Sequence, residues 1–475
     1  MERKISIQDK KISRLYAFIG LLLICFYMLT ELVFELWYRV SANYGLFLII
    51  AFIAVSFFLR FFNSSKEEKC LVLYALWVFV SRALNGDVYL NREFYFLVRT
   101  VLNTGCFICI GFVLDNEDRR RFFDLICAIV CANWFVLASI GIFATLNLSR
   151  IALPSAGMTV GFARVGANYQ LTVDNIHRNV SAVWFALAAV LMVYQFFNCK
   201  KRFWRVPITL AGLVFYVATV LSFSRAALLG MCVALTMLVL LLGLRRIDRK
   251  TMRLRAIACV LVIIVALPLF YKSSSVTTKL CSAVSSALTS ETVAVSADAA
   301  DEDAKAEEVM FEEGRGSENM MQLGGRSFLW KAGFMVLGEE PERLIKGGLI
   351  GPYMERVAEL ADEIAGPDSP GANAQMHNFI LDSLMLTGLP GALILIVFTL
   401  FLVIRMVRVF FSATAPMQLK LLTLPVAMLL VDNMMEAHIL RYDIMPSILF
   451  FFITGTFLAW SYEVLPGKEK QCADI

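Results

Sequence analysis

Eight ionisable residues lie in or next to strongly apolar stretches of this chain, where a charged side chain is energetically unfavourable. They are Glu31, Glu35, Arg82, Arg99, Arg225, Asp382, Asp432 and Glu436. Because a charge in hydrocarbon is costly, such groups usually face the interior of a helix bundle or a water-filled cavity, and they often mark a functional site. Any single one could instead extend to the membrane interface or belong to a structural ion pair. Both interpretations are open at the level of one residue.

The elements that must position these residues are membrane helices. Of 475 residues, 59% are hydrophobic and 17% are charged, against about 25% charged in an average soluble domain, and the mean hydropathy is +0.69. The apolar runs are roughly 17–25 residues long, which is the length that crosses the hydrocarbon of a bilayer. We therefore expect an all-α fold, a polytopic membrane bundle of about twelve transmembrane helices. The runs lie near residues 15–37, 44–62, 70–86, 94–114, 122–146, 180–198, 206–223, 226–243, 256–271, 379–403, 419–436 and 444–462.

The distribution of Lys and Arg indicates the orientation of the bundle. If the N-terminus is inside, the predicted inside segments hold 26 of the 44 Lys and Arg residues, as the positive-inside rule requires. Both termini are then cytoplasmic, and all eight ionisable residues fall in the outward halves of their helices. A proton or ion pathway would spread its charges through the membrane, so this one-sided cluster favours a hydrated cavity that opens outward. The net charge of +5 follows from the same rule and indicates no nucleic acid partner.

Two outside segments are longer than ordinary connections. Residues 147–179 contain four helix breakers and four groups that can carry positive charge: Pro154, Gly157, Gly161 and Gly166, and Arg150, Arg164, His177 and Arg178. Residues 272–378 form a large, partly helical extracytoplasmic loop. Its first part, 272–321, is rich in Ser, Ala and Val and becomes acidic from Asp298, so it is expected to be a solvated tether. Helices are expected at 327–337 and 353–364. The chain thus divides into 1–271 with nine transmembrane helices, the 272–378 loop, and 379–475 with three more helices and a cytoplasmic tail.

The residue types argue against a metal centre or a disulfide. The chain has three His residues, at 177, 377 and 438, and no paired His/Asp ligand spacing in the outside segments. By the predicted topology, Cys281 is the one cysteine of eleven in an outside loop. We therefore expect neither a metal nor another cofactor.

Three stretches together resemble the O-antigen ligase and O-antigen polymerase superfamily, integral-membrane enzymes that transfer lipid-linked bacterial glycans. Ser222 to Leu228 (SFSRAAL) is similar to the family's Ser-Arg-Gly/Ala element between two helices. Gly325 to Trp330 (GRSFLW), followed by a proline and several glycines, is similar to its Gly-Arg…Trp block. His377 to Leu381 (HNFIL), with Leu384 and two glycines downstream, matches its His-Asn-x-x-Leu-x-x-Leu pattern. One departure is Leu386, where the family often has an acidic residue, and Asp382 is the candidate to compensate.

The resemblance implies a GT-C-like glycosyltransferase in the bacterial cytoplasmic (inner) membrane. Its donor would be a glycan on an isoprenoid diphosphate such as undecaprenyl diphosphate, and its acceptor a glycan or glycolipid of a lipopolysaccharide or capsule. By the resemblance, His377 is the catalytic base, with possible support from Asn378 and Asp382. Arginines bind diphosphate oxygens in a bidentate fork, and the implied set is Arg225 and Arg326, supplemented by Arg99, Arg164 and Arg178. The motifs do not separate a ligase from a polymerase.

Two other classes of protein remain as alternatives. A transporter or flippase of lipid-linked oligosaccharide should have charges or broken helices near the middle of the membrane, and two halves of similar pattern. The sequence indicates neither feature. A signalling or scaffold protein, with an outer loop that binds a partner, would leave the clustered membrane charges unexplained.

Overall fold

A computed structural model describes most of the chain. The described residues are 65–86, 100, 116–153, 158–165, 168–173, 178–244, 326–348, 350–365, 376–436 and 444–465, with scattered residues between 262 and 287. The runs predicted at 15–37 and 44–62, the run at 94–114 except residue 100, most of the run at 256–271, and the acidic tether lie outside them. The total of about twelve membrane helices therefore stays a prediction.

The other eight predicted runs are helices in the structure. Those in the first part of the chain are α1 (Lys66–Leu84), α2 (Asn116–Leu146), α3 (Arg178–Asn198), α4 (Arg202–Leu221) and α5 (Arg225–Leu244). The last three are α9 (Phe379–Phe411), α10 (Met417–Met435) and α11 (Ile444–Val464). By length and composition, α2 to α5, α9 and α10 can each cross a membrane, and α11 contains a shorter apolar stretch, Leu449–Val464.

The large loop contributes three further helices, α6 (Arg326–Glu339), α7 (Arg343–Lys346) and α8 (Ile350–Ala365). Helices α6 and α8 correspond to the two that the sequence predicts. They form a small core of their own, in which Val336 and Val357 are fully buried. Met376 and Met385, from the entrance to α9, complete this core. An ion pair between Arg356 and Glu339 also joins α8 to α6 and lowers the pKa of the Glu339 carboxyl from its ordinary value. The loop is thus packed onto the bundle.

The segment 147–179 contains a sheet that an all-α expectation did not include. Strands β1 (Arg150–Leu153), β2 (Met158–Val165) and β3 (Asn168–Val173) are antiparallel in that order. Val160 pairs with Val173, and both are buried beside α2. Gly161 has φ +138°, and a Cβ there would lie 2.6 Å from the carbonyl oxygen of Ser149. The glycine therefore serves close strand packing and does not break a helix.

Helix α9 is broken at Gly388, whose φ is +72°. Gly388 ends the first part, and Pro390, which lacks a backbone N–H, suits the start of the second. Residues 344–348 fill the break: the Gly348 N–H donates to the Met385 carbonyl at 2.8 Å. From α1, the Arg82 guanidinium donates to the Leu386 carbonyl, and the Trp77 indole N–H donates to the Thr387 carbonyl at 2.6 Å.

The sequence analysis indicates no broken helix near the middle of the membrane, and the structure adds this break close to one end of α9. It lies nine residues from the start of a 33-residue helix, and protein groups satisfy the backbone carbonyls that it leaves unpaired. Arg82, one of the eight ionisable residues of the apolar runs, is 0% exposed. Arg82 therefore stabilises the helix break by its hydrogen bond to the Leu386 carbonyl and does not line a hydrated cavity.

Contacts between helices define the two ends of the bundle. One end, which we call the loop end, contains residues 81–86, 179, 376–387 and 436. At the opposite end, the Tyr462 hydroxyl donates to the buried Glu67 carboxylate at 2.7 Å, and Arg119 pairs with Glu463 at 3.0 Å. Arg82, Asp382 and Glu436 thus belong to the same end, as the predicted topology requires.

Candidate active site

The site begins at the turn that precedes α9. His377 has φ +50°, in the left-handed region, which histidine enters more readily than most residues. The turn is fixed on both sides of Met376: the Trp330 indole N–H donates to its carbonyl at 2.7 Å, and the Asp382 carboxylate accepts from its N–H at 3.0 Å. A defined backbone therefore holds His377 clear of the helix.

Asn378 secures the same turn to α9 and α10. Its side-chain oxygen caps α9, where it accepts from the N–H groups of Ile380 and Leu381 at 3.0 and 3.1 Å. Its amide donates to the Met434 carbonyl at 3.0 Å. The adjacency of His and Asn in the sequence pattern thus has a structural reason: Asn378 fixes the backbone of the turn that holds His377.

The imidazole of His377 contacts a carboxylate that the sequence analysis did not assign to it. Nδ1 lies 2.6 Å from Oε2 of Glu436, and the Asn179 amide donates to the other oxygen, Oε1, at 2.9 Å. The Glu436 side chain is 4% exposed and that of His377 is 15% exposed. Glu436 follows α10 directly, and Asn179 is the second residue of α3. Residues from three separate elements therefore meet at the Glu436 carboxylate.

Arg225 is the first residue of α5, and its side chain is partly exposed. The turn before it contains Phe223 at φ +50° between the buried Ser222 and Ser224. A left-handed backbone is unusual for so bulky a residue. Among the described residues, three non-glycine positions have positive φ: Leu148, Phe223 and His377. Two of the three lie in the sequence stretches that resemble the family, and strained backbone of this kind clusters at functional sites.

Close packing between α5 and α10 relates Arg225 to His377. A Cβ on Gly230 would lie 2.8 Å from the Met428 carbonyl oxygen, so the two helices are almost in backbone contact there. Arg225 precedes Gly230 by five residues, which is about 8 Å of helix, and Glu436 follows Met428 by eight residues, about 12 Å.

Helix α3 begins at the loop end with Asn179, and α4 returns towards that end after the short turn at 199–201. Helix α5 therefore starts at the loop end, and Arg225 and Glu436 lie on the same side of the α5–α10 crossing.

The remaining predicted arginines are placed by backbone only. Arg326 opens α6, four residues before the Trp330 that holds the His377 turn, and Arg178 opens α3, next to Asn179. Arg164 lies in β2, opposite Tyr169. The side chains of these three residues are not among those that the structure describes. Arg99, His177 and His438 lie outside the described residues altogether.

The comparisons with known proteins add the family. A family model described as O-antigen ligase matches residues 208–396. Residues 208–396 belong to the O-antigen ligase family. No curated protein and no solved structure matches the chain.

The O-antigen ligase match contains all three stretches that carry the resemblance, together with the loop helices and the break in α9. The chain is therefore a multi-pass membrane protein with an enzyme domain of surface polysaccharide biosynthesis. The match excludes Asn179 and Glu436, which lie before and after it. This explains why the family pattern led to His377 but not to the carboxylate that His377 contacts.

Proposed function

We propose that this protein is a glycosyltransferase that moves a glycan from an isoprenoid diphosphate to a sugar hydroxyl at the outer face of the cytoplasmic membrane. The observation that carries the proposal is His377. It stands on a fixed, left-handed turn inside the O-antigen ligase segment, and Glu436 holds one edge of its ring. Nε2, on the other edge of the ring, is then directed to the substrate.

The reaction needs a group that accepts a proton and groups that stabilise a departing anion. In this proposal, the acceptor hydroxyl gives its proton to Nε2 of His377 while its oxygen bonds to the anomeric carbon of the donor. The bond between that carbon and the diphosphate oxygen breaks, and the diphosphate keeps the electron pair and remains on the isoprenoid. Because a guanidinium stays charged and binds two oxygens at once, Arg225 and Arg326 would stabilise this leaving group, with Arg99, Arg164 and Arg178 as further contacts. No metal is assigned a part.

The test of the base is His377→Ala in a reconstituted assay with purified lipid-linked glycan. Turnover should fall by roughly 10²–10⁴-fold, the usual contribution of a positioned general base. Membrane insertion and donor binding should persist, because the imidazole is not assigned to the diphosphate. Added imidazole should restore part of the lost rate. Near-normal turnover of the variant would overturn the assignment of the base.

A second experiment separates the two activities that the family includes. The surface glycan of a strain that lacks this protein should contain single, unpolymerised repeats if the protein is a polymerase. Full-length chains should accumulate on the lipid carrier if it is a ligase. A glycan unchanged in amount, length and attachment would contradict both activities.

A further inference from the structure

Glu436 is a buried carboxylate at the end of a helix, in direct contact with the ring of His377. It is the C-cap residue of α10, where the helix dipole presents its negative end, and it is 3% exposed. Its contacts include the Asn179 amide at Oε1 and the His377 ring at Oε2. An imidazolium formed at His377 would be stabilised by this carboxylate, which lies 2.6 Å from Nδ1.

We propose that Glu436 is the positioning residue of the catalytic histidine, and that Asn179 fixes the orientation of its carboxylate. This inference rests on the proposed role of His377 as the base. A carboxylate can only accept hydrogen bonds, so the contact at Oε2 places a proton on Nδ1 and leaves the lone pair on Nε2. Oε1 is engaged by Asn179, so the carboxylate does not rotate and the ring keeps one tautomer and one direction.

The same pair of groups accounts for the charge that develops during transfer. When Nε2 receives the proton of the acceptor hydroxyl, the ring becomes an imidazolium at 2.6 Å from Glu436. Glu436 stays negative and takes no proton, so its role is to orient the ring and stabilise its charged form. Both effects act on the rate of transfer and not on the affinity for the donor diphosphate.

The experiment is a double-mutant cycle between Glu436→Gln and His377→Ala, with turnover and donor KM measured in purified protein. Glu436→Gln should lower kcat by roughly 10–100-fold, as the loss of a group that orients a functional histidine does, and should leave donor KM unchanged. In the His377→Ala background it should lower kcat no further, since a positioning residue acts only through the residue that it positions. Glu436→Asp, which keeps the charge on a shorter arm, should retain more activity than Glu436→Gln.

Glu67→Gln is the matched control. Glu67 is also a 3% exposed, hydrogen-bonded glutamate, but it lies at the opposite end of the bundle. Its substitution should affect stability similarly and leave kcat unchanged. If Glu436→Gln prevents folding, Asn179→Ala replaces it in the cycle and should likewise lower kcat only when His377 is present.

The outcomes separate this inference from the proposed function. Equal losses from Glu436→Gln with and without His377 would show an independent or merely structural role and would overturn the inference, and the base would stand. An unaffected His377→Ala enzyme would overturn the base itself. A raised donor KM with unchanged kcat would reject positioning and indicate that Glu436 acts on donor binding.

Discussion

At the scale of single residues, the loop end carries arginines with different tasks. Arg82 is fully buried, donates to the Leu386 carbonyl and belongs to the frame of α9. Arg225 is partly exposed at the first turn of α5, above the α5–α10 crossing. A guanidinium that is bound to backbone inside the protein cannot also bind a substrate diphosphate. Arg225 is therefore the residue at which a role in diphosphate binding can be tested.

Substitution of Arg225 by lysine or alanine should distinguish charge from geometry. Lysine keeps the positive charge but loses the planar fork that matches two phosphate oxygens, so Arg225→Lys should retain part of the activity that Arg225→Ala loses. The affinity for the donor should fall in both variants. The measurement is a binding isotherm with lipid-linked glycan, next to turnover. Equal, normal donor affinity in both variants would remove Arg225 from the diphosphate site.

The sequence could indicate His377 but not its partners. His377 belongs to a local pattern, His-Asn followed by leucines and glycines, and a local pattern can be compared between proteins. The contact between His377 and Glu436 spans 59 residues, and that between Asn179 and Glu436 spans 257. No spacing rule joins such positions, because they meet only when α3, α9 and α10 pack together.

At the scale of elements, helices of about 20 apolar residues were predictable because the bilayer requires their length and composition. The sheet has only a weak signal in the sequence, because a glycine such as Gly161 is also typical of a loop and the strands are only four to eight residues long. The break in α9 does have a signal in the sequence, the order Gly388, Leu389, Pro390. The residues around it are continuously apolar, and such a run by itself predicts an unbroken membrane helix. Whether the helix breaks at Gly388 depends on the tertiary contacts that the freed backbone groups can make.

Gly388→Ala should destabilise the protein strongly. The position combines a left-handed backbone, which costs a residue with a Cβ about 1–2 kcal/mol, with an overlap between that Cβ and the Ile345 carbonyl oxygen. Gly338→Ala in α6 is the control, since a Cβ there meets nothing within 4 Å and alanine favours a helix. Thermal unfolding in detergent should show a lower Tm for Gly388→Ala and an equal or higher Tm for Gly338→Ala. Equal Tm values would contradict the described break.

At the scale of the whole molecule, the topology predicted from Lys and Arg can be tested by reporter fusions. Fusions after residues 121, 205, 250 and 412 should report the cytoplasm, and fusions at 165 and 310 should report the outside. The contacts of the described helices agree on which residues share an end of the bundle, and the reporters decide which end faces out. An outside signal at 250 would reverse this part of the topology and overturn the proposed outer-face site.

The acidic segment of the large loop is expected to serve as a tether. Deletion of residues 295–318 should therefore leave transfer activity within several-fold of normal, because shortening a flexible loop changes its closure entropy only modestly. The measurement is turnover, with the amount of inserted protein as its control. Loss of activity at a normal protein level would show that this segment takes part in the reaction.

The filled break in α9 also limits how this protein can be recombined with its relatives. Residues 344–348 of the loop occupy the break in α9. They contact both α1 and α9, two helices that are far apart in sequence. A chimera that exchanges only the 272–378 loop would bring a foreign segment into that gap. A chimera designed to change substrate preference by loop exchange would therefore also have to include α1 and the first part of α9 from the same relative.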